Sequence, residues 1–258
     1  MNFSIDQITD LFYLFLLPFT RISSFFLVAP FFALEAINVR IRVAISFIVT
    51  LLAINLIDFN PVNLPLDELV NQIFIQIFIG TFSGFLFMII NGAITIAGQA
   101  ISNSLGLGMA NMVDPSIGSV PLLSQFLIIL STLIFITMDG HLIIISIILQ
   151  SFSIIAVGTT IDLNIAYSYL IEWTPFLFLG GLVIALPILI SVLLINIGLG
   201  MITRSAPSLN IISVGFPIII IIGFIILLLA IPNIIGRIIQ FWDNSFEVVI
   251  QFMEDMNE

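Results

Sequence analysis

The chain has 258 residues, of which 60% are hydrophobic and only 8% are charged, and its mean hydropathy is +1.31. A typical soluble domain carries about 25% charged residues, so a soluble fold of this composition would lack polar residues for its surface. The formal net charge of −10 excludes a basic surface for nucleic acid. The composition therefore predicts an all-α polytopic membrane protein, built of helical hairpins.

The first 105 residues contain three apolar runs, which are predicted to be helical. They extend over about Ile8 to Phe32, Val43 to Ile57 and Glu68 to Leu105, with a polar connection at 58–67. As one helix the third run would be about 57 Å long, whereas the hydrocarbon core of a bilayer is about 30 Å thick. This helix must therefore tilt, break or leave the bilayer.

Four glycines lie along the third run, at Gly80, Gly84, Gly92 and Gly98. Gly80 and Gly84 are four residues apart, the spacing that lets two helix backbones approach closely. The glycines are therefore predicted to be either break points or points of close helix packing.

An irregular segment follows at 106–121, because three glycines and two prolines there argue against a continuous helix. Two further apolar runs, Leu122 to Met138 and Leu142 to Val157, flank the tripeptide Asp139-Gly140-His141. These runs are predicted to form a helical hairpin with a tight polar tip at the tripeptide.

The C-terminal part begins with an apolar segment from Tyr167 to Ile202, which a short polar turn at 204–210 ends. The last strong span is predicted at Ser213 to Ile231. Residues 234–258 are predicted to form an amphipathic helix, with an apolar face that includes Trp242 and Phe246. The whole chain is expected to hold five to eight spans, depending on how the hairpins are counted.

Several apolar runs contain polar side chains, which are costly in lipid unless they face protein or water. They are Gln76, Asn91, Gln99, Asn103, Gln125, Gln150 and Asn196. Irregular backbone at membrane depth likewise survives only where protein or a cavity surrounds it. Both features predict that the chain is one subunit of a larger assembly.

Catalytic and cofactor sites are not predicted. The chain has no cysteine, and its one histidine, His141, has only Asp139 nearby as a second candidate metal ligand. Gly106 and Gly108 lack the third glycine of a dinucleotide-binding motif. A small-molecule permease remains an alternative, because transporters also contain broken apolar helices with buried amides, although no internal repeat is visible.

An ordered set of short motifs resembles the FliR family, the export-gate proteins of type III secretion. The central motif runs from Gly106 to Pro115, and its partners extend from about residue 12 to 232. They are Arg21, Ala29-Pro30, Val39 to Arg42, Ile79-Gly80, Gly84-Phe85, Ala97-Gly98, Asp139 to His141, Ser151-Phe152, Asn196 to Gly200, Arg204 to Pro207, Asn210 and Gly215 to Pro217. The chain departs from the family pattern at Asp139, where many relatives carry asparagine, and at Gln76, where an acidic residue is common.

The resemblance implies a non-enzymatic subunit of the flagellar type III export gate, in the bacterial inner membrane and the flagellar basal body. Its implied partners are FliP-like, FliQ-like and FlhB-like subunits, unfolded protein substrates and membrane lipids, without a cofactor or metal. Residues 1–165 are expected to be FliP-like and residues 166–258 FliQ-like, including the amphipathic C-terminal helix. The equivalent subunit of a virulence injectisome stays open as an alternative.

The resemblance also implies that a loop at about 106–119 plugs the secretion pore. The implied seal residues are Gly106, Gly108, Met109, Met112, Val113, Asp114, Pro115 and Gly118. Methionine is apolar and adaptable, and a hydrophobic constriction closes a pore by dewetting; the alternative is that both methionines only fill core space. Subunit-contact or structural roles are implied for Arg21, Arg40, Arg42, Gly80, Gly84, Asp139, His141, Arg204 and Pro207.

Overall fold

The structure is a computed structural model that describes residues 5–30, 37–56, 65–107, 121–205 and 211–257. Regular structure in these ranges is helical, which confirms the all-α class. The helices are α1 (Ile5–Val28), α2 (Val39–Leu56), α3 (Leu66–Ser104), α4 (Leu122–Thr137), α5 (Gly140–Ile154), α6 (Leu163–Trp173), α7 (Pro175–Ser205) and α8 (Ile211–Asp255).

Helix α3 runs unbroken through 39 residues, about 58 Å at 1.5 Å per residue. Of the three outcomes expected for this run, a break is therefore excluded. Its four glycines are points of close packing instead. A Cβ added at Gly80 or Gly84 would press on α1, and one added at Gly92 or Gly98 would press on Leu177 or on the backbone of Ser124.

The first of two compact units comprises Met1–Ile89, Asp139–Trp173 and Asp243–Glu258. Helix α1 packs on the N-terminal half of α3 along the Gly80–Gly84 face. The core of the first unit is rich in aromatic rings, and the ring centroids of Phe82 and Phe252 lie 4.7 Å apart. The indole Nε1 of Trp173 donates to the backbone carbonyl of Leu86 at 3.1 Å, which fixes the end of α6 against α3.

The second unit comprises Ile90–Met138 and Thr174–Trp242. The hydroxyl of Ser124 on α4 donates to the carbonyl of Thr95 on α3 at 3.0 Å. The buried Trp242 on α8 donates from Nε1 to the hydroxyl of Ser131 at 3.1 Å. In lipid there is little hydrophobic driving force for helix association. Close packing at small residues and hydrogen bonds between helices are therefore the contacts expected to hold the helices together.

Helix is interrupted at two places inside the apolar regions. The predicted interruption of the apolar runs is confirmed at Met138 and Asp139, where Asp139 adopts a left-handed conformation with φ 55°. Gly140 and His141, which were predicted in the same tip, belong to α5, and the hairpin arrangement stays a prediction. The segment predicted as one run from Tyr167 divides into α6 and α7 at Thr174. Thr174 precedes Pro175, and a residue before proline is disfavoured in the helical conformation.

The last span and the amphipathic C-terminal helix were expected to be separate, but they form the single helix α8. This helix continues through Pro217 and Pro232, although proline removes one backbone hydrogen bond. Leu227 and Ile234, on either side of Pro232, are 4% and 3% exposed. Packing on both sides of the proline therefore outweighs the local cost.

Three helical stretches among the described residues are long and apolar enough to cross a membrane: Glu68–Ser104, Leu163–Ile202 and Pro217–Asp255. Helices α4 and α5 make a fourth if they count as one broken span. This is fewer than the predicted five to eight, because the predicted last span and C-terminal helix are one helix, and α4 and α5 together make at most one span. In α1, only the shorter stretch Phe12–Val28 is apolar. The chain is a multi-pass membrane protein.

The polar residues of the apolar runs are placed in two ways. Gln76 is completely buried inside the chain. The exposed members are Gln99, Asn103, Gln125, Gln150 and Asn196, and Asn91 is half-buried. Most of these side chains are therefore not buried by the described part of the chain.

Candidate functional site

The first unit contains a buried polar cluster around Arg21, in the middle of α1. Arg21 is completely buried, and its guanidinium donates from Nε to Gln76 Oε1 at 2.6 Å. Nη1 donates to the carbonyl and hydroxyl oxygens of Ser151 at 2.9 and 3.2 Å. Nη2 donates to the carbonyl of Ile155 at 3.0 Å, and the guanidinium lies 4.3 Å from the ring centre of Phe152.

This cluster connects three helices. The last carbonyls of a helix lack partners within the helix, and Arg21 supplies a donor to one of them, the carbonyl of Ile155 at the end of α5. The Ser151 carbonyl accepts from Arg21 in addition to the backbone N–H of Ile155. The recorded acceptors of the guanidinium are neutral, so hydrogen bonds and the Phe152 ring stabilise this buried charge. Burying a charge is costly unless it is well hydrogen-bonded, and the cluster therefore fixes α1, α3 and the end of α5 in one arrangement.

Close backbone packing brings Gln76 within reach of Arg21. A Cβ at Gly80 would meet the backbone carbonyl of Arg21 and the hydroxyl of Ser24, and one at Gly84 would lie 3.1 Å from the carbonyl of Phe25. Because glycine has no Cβ, α3 approaches α1 more closely than any other residue would allow. Gly80 lies one turn after Gln76 on α3. The close approach of the two helices at Gly80 therefore also brings Gln76 Oε1 within hydrogen-bond distance of Arg21 Nε.

The end of α3 leads into the segment that is predicted to plug the pore. Gly106 has φ 74°, and its N–H donates to the carbonyl of Asn103 at 3.1 Å, while the N–H of Leu107 donates to the carbonyl of Ser102 at 3.0 Å. This pair of bonds is a Schellman cap, which favours glycine at the left-handed position. The other predicted seal residues, Gly108, Met109, Met112, Val113, Asp114, Pro115 and Gly118, lie outside the described residues.

The two arginines at the start of α2 have different surroundings. Arg40 is exposed, and its backbone N–H donates to Oδ1 of Asn38 at 3.2 Å. Arg42 donates from Nε to the carbonyl of Ile37 at 3.1 Å and from Nη1 to that of Leu27 at 3.4 Å. Arg42 therefore ties the start of α2 to the end of α1, whereas the Arg40 side chain is exposed in the described structure.

The remaining predicted residues lie at helix ends. Asp139 is exposed and precedes α5, whereas His141 is half-buried in the first turn of that helix. Arg204 is exposed in the last turn of α7, and Pro207 lies outside the described residues. Among the described residues, no group of three or more His, Cys, Asp or Glu side chains could hold a metal ion.

Comparison with known proteins places this architecture in a family. The family model of bacterial export proteins, family 1, matches residues 12–245. The chain belongs to this family. The Flagellar biosynthetic protein FliR of Pectobacterium carotovorum is 33% identical over 93% of this chain and 90% of its own length. The proteins of the same name from Bacillus subtilis and Escherichia coli are 28% and 27% identical, over 97% and 93% of this chain and 97% and 90% of their own lengths.

Family membership confirms the FliR resemblance and identifies the chain as a component of flagellar type III export. The predicted residues of this FliR-family chain do not all meet at one place. Arg21, Gly80 and Gly84 share one contact between α1 and α3. Gly106 instead ends α3, and the structure assigns it the role of a helix cap.

Sequence reasoning did not identify the partners of Arg21 as a set. Gln76 was noticed as a polar residue in an apolar run, and Ser151-Phe152 as part of the family pattern. Neither was assigned to Arg21, because 55 and 130 residues of chain separate Arg21 from Gln76 and Ser151. An arginine in the middle of an apolar helix was the available signal, since such a residue requires buried partners.

Proposed function

We propose that this chain is a non-enzymatic subunit of the flagellar export gate in the bacterial inner membrane, and that its segment at 106–119 seals the secretion pore. One observation carries the proposal. In a FliR-family chain, the longest rigid helix of the N-terminal half ends at the Schellman cap of Gly106. The Gly- and Met-containing segment begins directly after this cap.

The chemistry of the segment suits a seal that must also yield. Met109 and Met112 would present flexible apolar side chains, which exclude water and ions but rearrange around a passing polypeptide. Gly108 and Gly118 would let the backbone of the segment move, because glycine tolerates conformations that other residues avoid. The cap at Gly106 would fix where this segment joins helix α3.

Assembly with other subunits is supported by what the chain leaves exposed. Large apolar side chains such as Phe74, Phe178 and Leu229 are 67%, 66% and 74% exposed, and polar residues of the apolar helices are exposed as well. Lipid can cover the apolar side chains, but the amides need protein or water. The proposed neighbours are FliP-like, FliQ-like and FlhB-like subunits, and unfolded proteins are the proposed substrates.

Within this assembly, residues 1–165 are proposed to take the position of a FliP-like chain and residues 166–258 that of a FliQ-like chain. Arg40, Arg204 and Pro207 are proposed to contact neighbouring subunits. Arg21, Gly80 and Gly84 are proposed to act structurally, since their partners lie within the chain. The relatives described above are flagellar proteins, which favours the flagellar system over an injectisome.

The seal is tested by replacing Met109 and Met112 together with alanine, in cells that carry the full export machinery. Smaller side chains should leave the constriction wet, so the ion conductance of the membrane should rise while secretion persists. The matched control replaces Met88, which is 53% exposed on α3, with alanine. Unchanged conductance in the Met109 and Met112 variant, or an equal rise in the control, would contradict the seal.

A further inference from the structure

A cleft of about 510 Å³, called here the α7–α8 cleft, opens between these two helices in the second unit. Its wall contains one proline on each helix, Pro187 on α7 and Pro232 on α8. Gly236 also lines the cleft, and a Cβ added there would meet no atom of the described residues within 4 Å. The described part of the chain therefore leaves room for another molecule in the cleft.

One side of the α7–α8 cleft is polar and positively charged. Asn233, Arg237 and Gln240 are four and three residues apart, so they lie on the same side of α8, and all three are exposed. Arg237 donates from Nη1 to Gln240 Oε1 at 3.2 Å, which uses one of the five donors of a guanidinium. Within the described residues no carboxylate is paired with Arg237, so its charge is available to an anion.

The other side of the α7–α8 cleft is apolar. Val183 and Ile184 line it from α7, and Ile234 lines it from α8. Ile184 and Ile234 are each 3% exposed, whereas Val183 is 41% exposed. A small inorganic anion would leave this apolar side in contact with water. A ligand that matches both sides therefore carries an anionic group on an apolar body.

The polar side of the cleft lies at the depth of the phosphate groups of a bilayer. From Ile211 to Pro232, α8 has no charged residue, and this stretch is about 33 Å long at 1.5 Å per residue. The hydrocarbon core is about 30 Å thick, and each headgroup layer adds roughly 5–7 Å. Arg237 lies about 7.5 Å beyond Pro232 along the helix. When the uncharged stretch crosses the core, Arg237 is therefore level with the headgroups.

The chain segment that joins the two helices does not reach the cleft. Pro187 and Ala230 are the lining residues nearest along α7 and α8 to the segment at 206–210, and about 27 Å of helix separates each of them from it. Five residues extend over at most about 18 Å. This segment therefore leaves the cleft open.

We propose that the α7–α8 cleft binds an anionic phospholipid of the membrane. The guanidinium of Arg237 and the carboxamides of Asn233 and Gln240 donate to the oxygens of its phosphate, and the bonds from the charged group are the stronger ones. The glycerol and the first part of an acyl chain lie against the apolar side of the cleft. The inference requires only that the chain lies in a membrane, and it does not depend on the proposed gate role.

The test measures lipid binding to the full-length chain, with any subunits that co-purify, by native mass spectrometry in mild detergent. Phosphatidylglycerol is the probe, and diacylglycerol with the same acyl chains is the control ligand without a phosphate. Arg237→Gln removes the charge but keeps a polar side chain, whereas Arg237→Lys keeps the charge. Arg204→Gln is the matched control variant, because Arg204 is the other arginine of the second unit and is also exposed.

We expect Arg237→Gln to weaken the binding of phosphatidylglycerol roughly tenfold. Arg237→Lys should retain most of the affinity, and Arg204→Gln should bind like the wild type. Diacylglycerol should bind the wild type and Arg237→Gln equally, and excess inorganic phosphate should not displace phosphatidylglycerol. Equal affinity of Arg237→Gln and the wild type, an equal loss in Arg204→Gln, or displacement by inorganic phosphate would overturn the inference.

A second measurement locates the lipid in the assembled protein. Membranes that contain the chain and its natural partners are supplied with a phosphatidylglycerol that carries a photoreactive group beside its phosphate. Irradiation should label the peptides of α7 or α8 that line the cleft. Labelling that misses these peptides would show that another molecule, such as a protein subunit, covers the cleft, and it would overturn the inference.

Discussion

The contact between α1 and α3 can be tested by adding one methyl group at Gly80. In Gly80→Ala the new Cβ would meet the backbone carbonyl of Arg21 and lie 3.1 Å from the backbone nitrogen of Phe25. Backbone atoms cannot turn aside as a flexible side chain can, so the two helices must separate. Separation would also lengthen the hydrogen bond between Arg21 and Gln76, which is 2.6 Å in the structure.

A second substitution isolates the size of this effect. Alanine is more favourable than glycine inside a helix by about 1 kcal/mol, and this gain applies equally to Gly236→Ala in α8. A Cβ at Gly236 would meet nothing within 4 Å in the described structure. The difference between the two variants therefore measures the clash, which for overpacking against a rigid neighbour is about 3 kcal/mol.

The assay is the thermal stability of the full chain in mild detergent, followed by the loss of its monodisperse peak on size-exclusion chromatography. A difference of about 3 kcal/mol corresponds to a difference in midpoint of roughly 6–12 °C for a chain of this size. Gly236→Ala should be at least as stable as the wild type, and Gly80→Ala should be less stable. Equal midpoints for both variants would refute the close packing of α1 on α3.

Three further substitutions test particular contacts by the same thermal assay. Arg21→Ala leaves the buried Gln76 Oε1 and the Ile155 carbonyl without the donors that Arg21 supplies, and it should cost about 3 kcal/mol or more. Arg21→Lys should lie in between, because an ammonium lacks the planar fork; full stability of Arg21→Ala would contradict the cluster. Asp139→Ala should cost about 1 kcal/mol, because the left-handed conformation of this residue disfavours alanine. Asp139→Gly should be neutral or stabilising, and a glycine variant less stable than the alanine variant would refute the assigned turn. Trp173→Phe removes the bond to the Leu86 carbonyl and should cost about 1–2 kcal/mol, so an unchanged midpoint would show that this bond contributes nothing.

Much of the helical architecture could be predicted from the sequence, because a chain in lipid must satisfy its backbone within helices. The hydropathy runs identified the membrane helices, and the turn residues around Asp139 and Gly106 marked where two of them are interrupted. The continuity of α8 through Pro232 could not be predicted, since it depends on packing around Leu227 and Ile234. Local preference alone favours a break at a proline.

The candidate site was less accessible to sequence reasoning. Arg21 was identified through the family resemblance, but its hydrogen-bond partners come from distant parts of the chain and only the fold brings them together. The seal residues Met109 and Met112 also come from the resemblance, and they stay a prediction.

The most direct test of the proposed gate role is to purify this chain through a tag from cells that co-express the FliP-like and FliQ-like subunits, and to determine the composition of the particle by native mass spectrometry. The expected result is a discrete complex that contains this chain together with both partners and is stable in mild detergent. A chain that elutes as a stable, monodisperse monomer, and never with the partners, would contradict it.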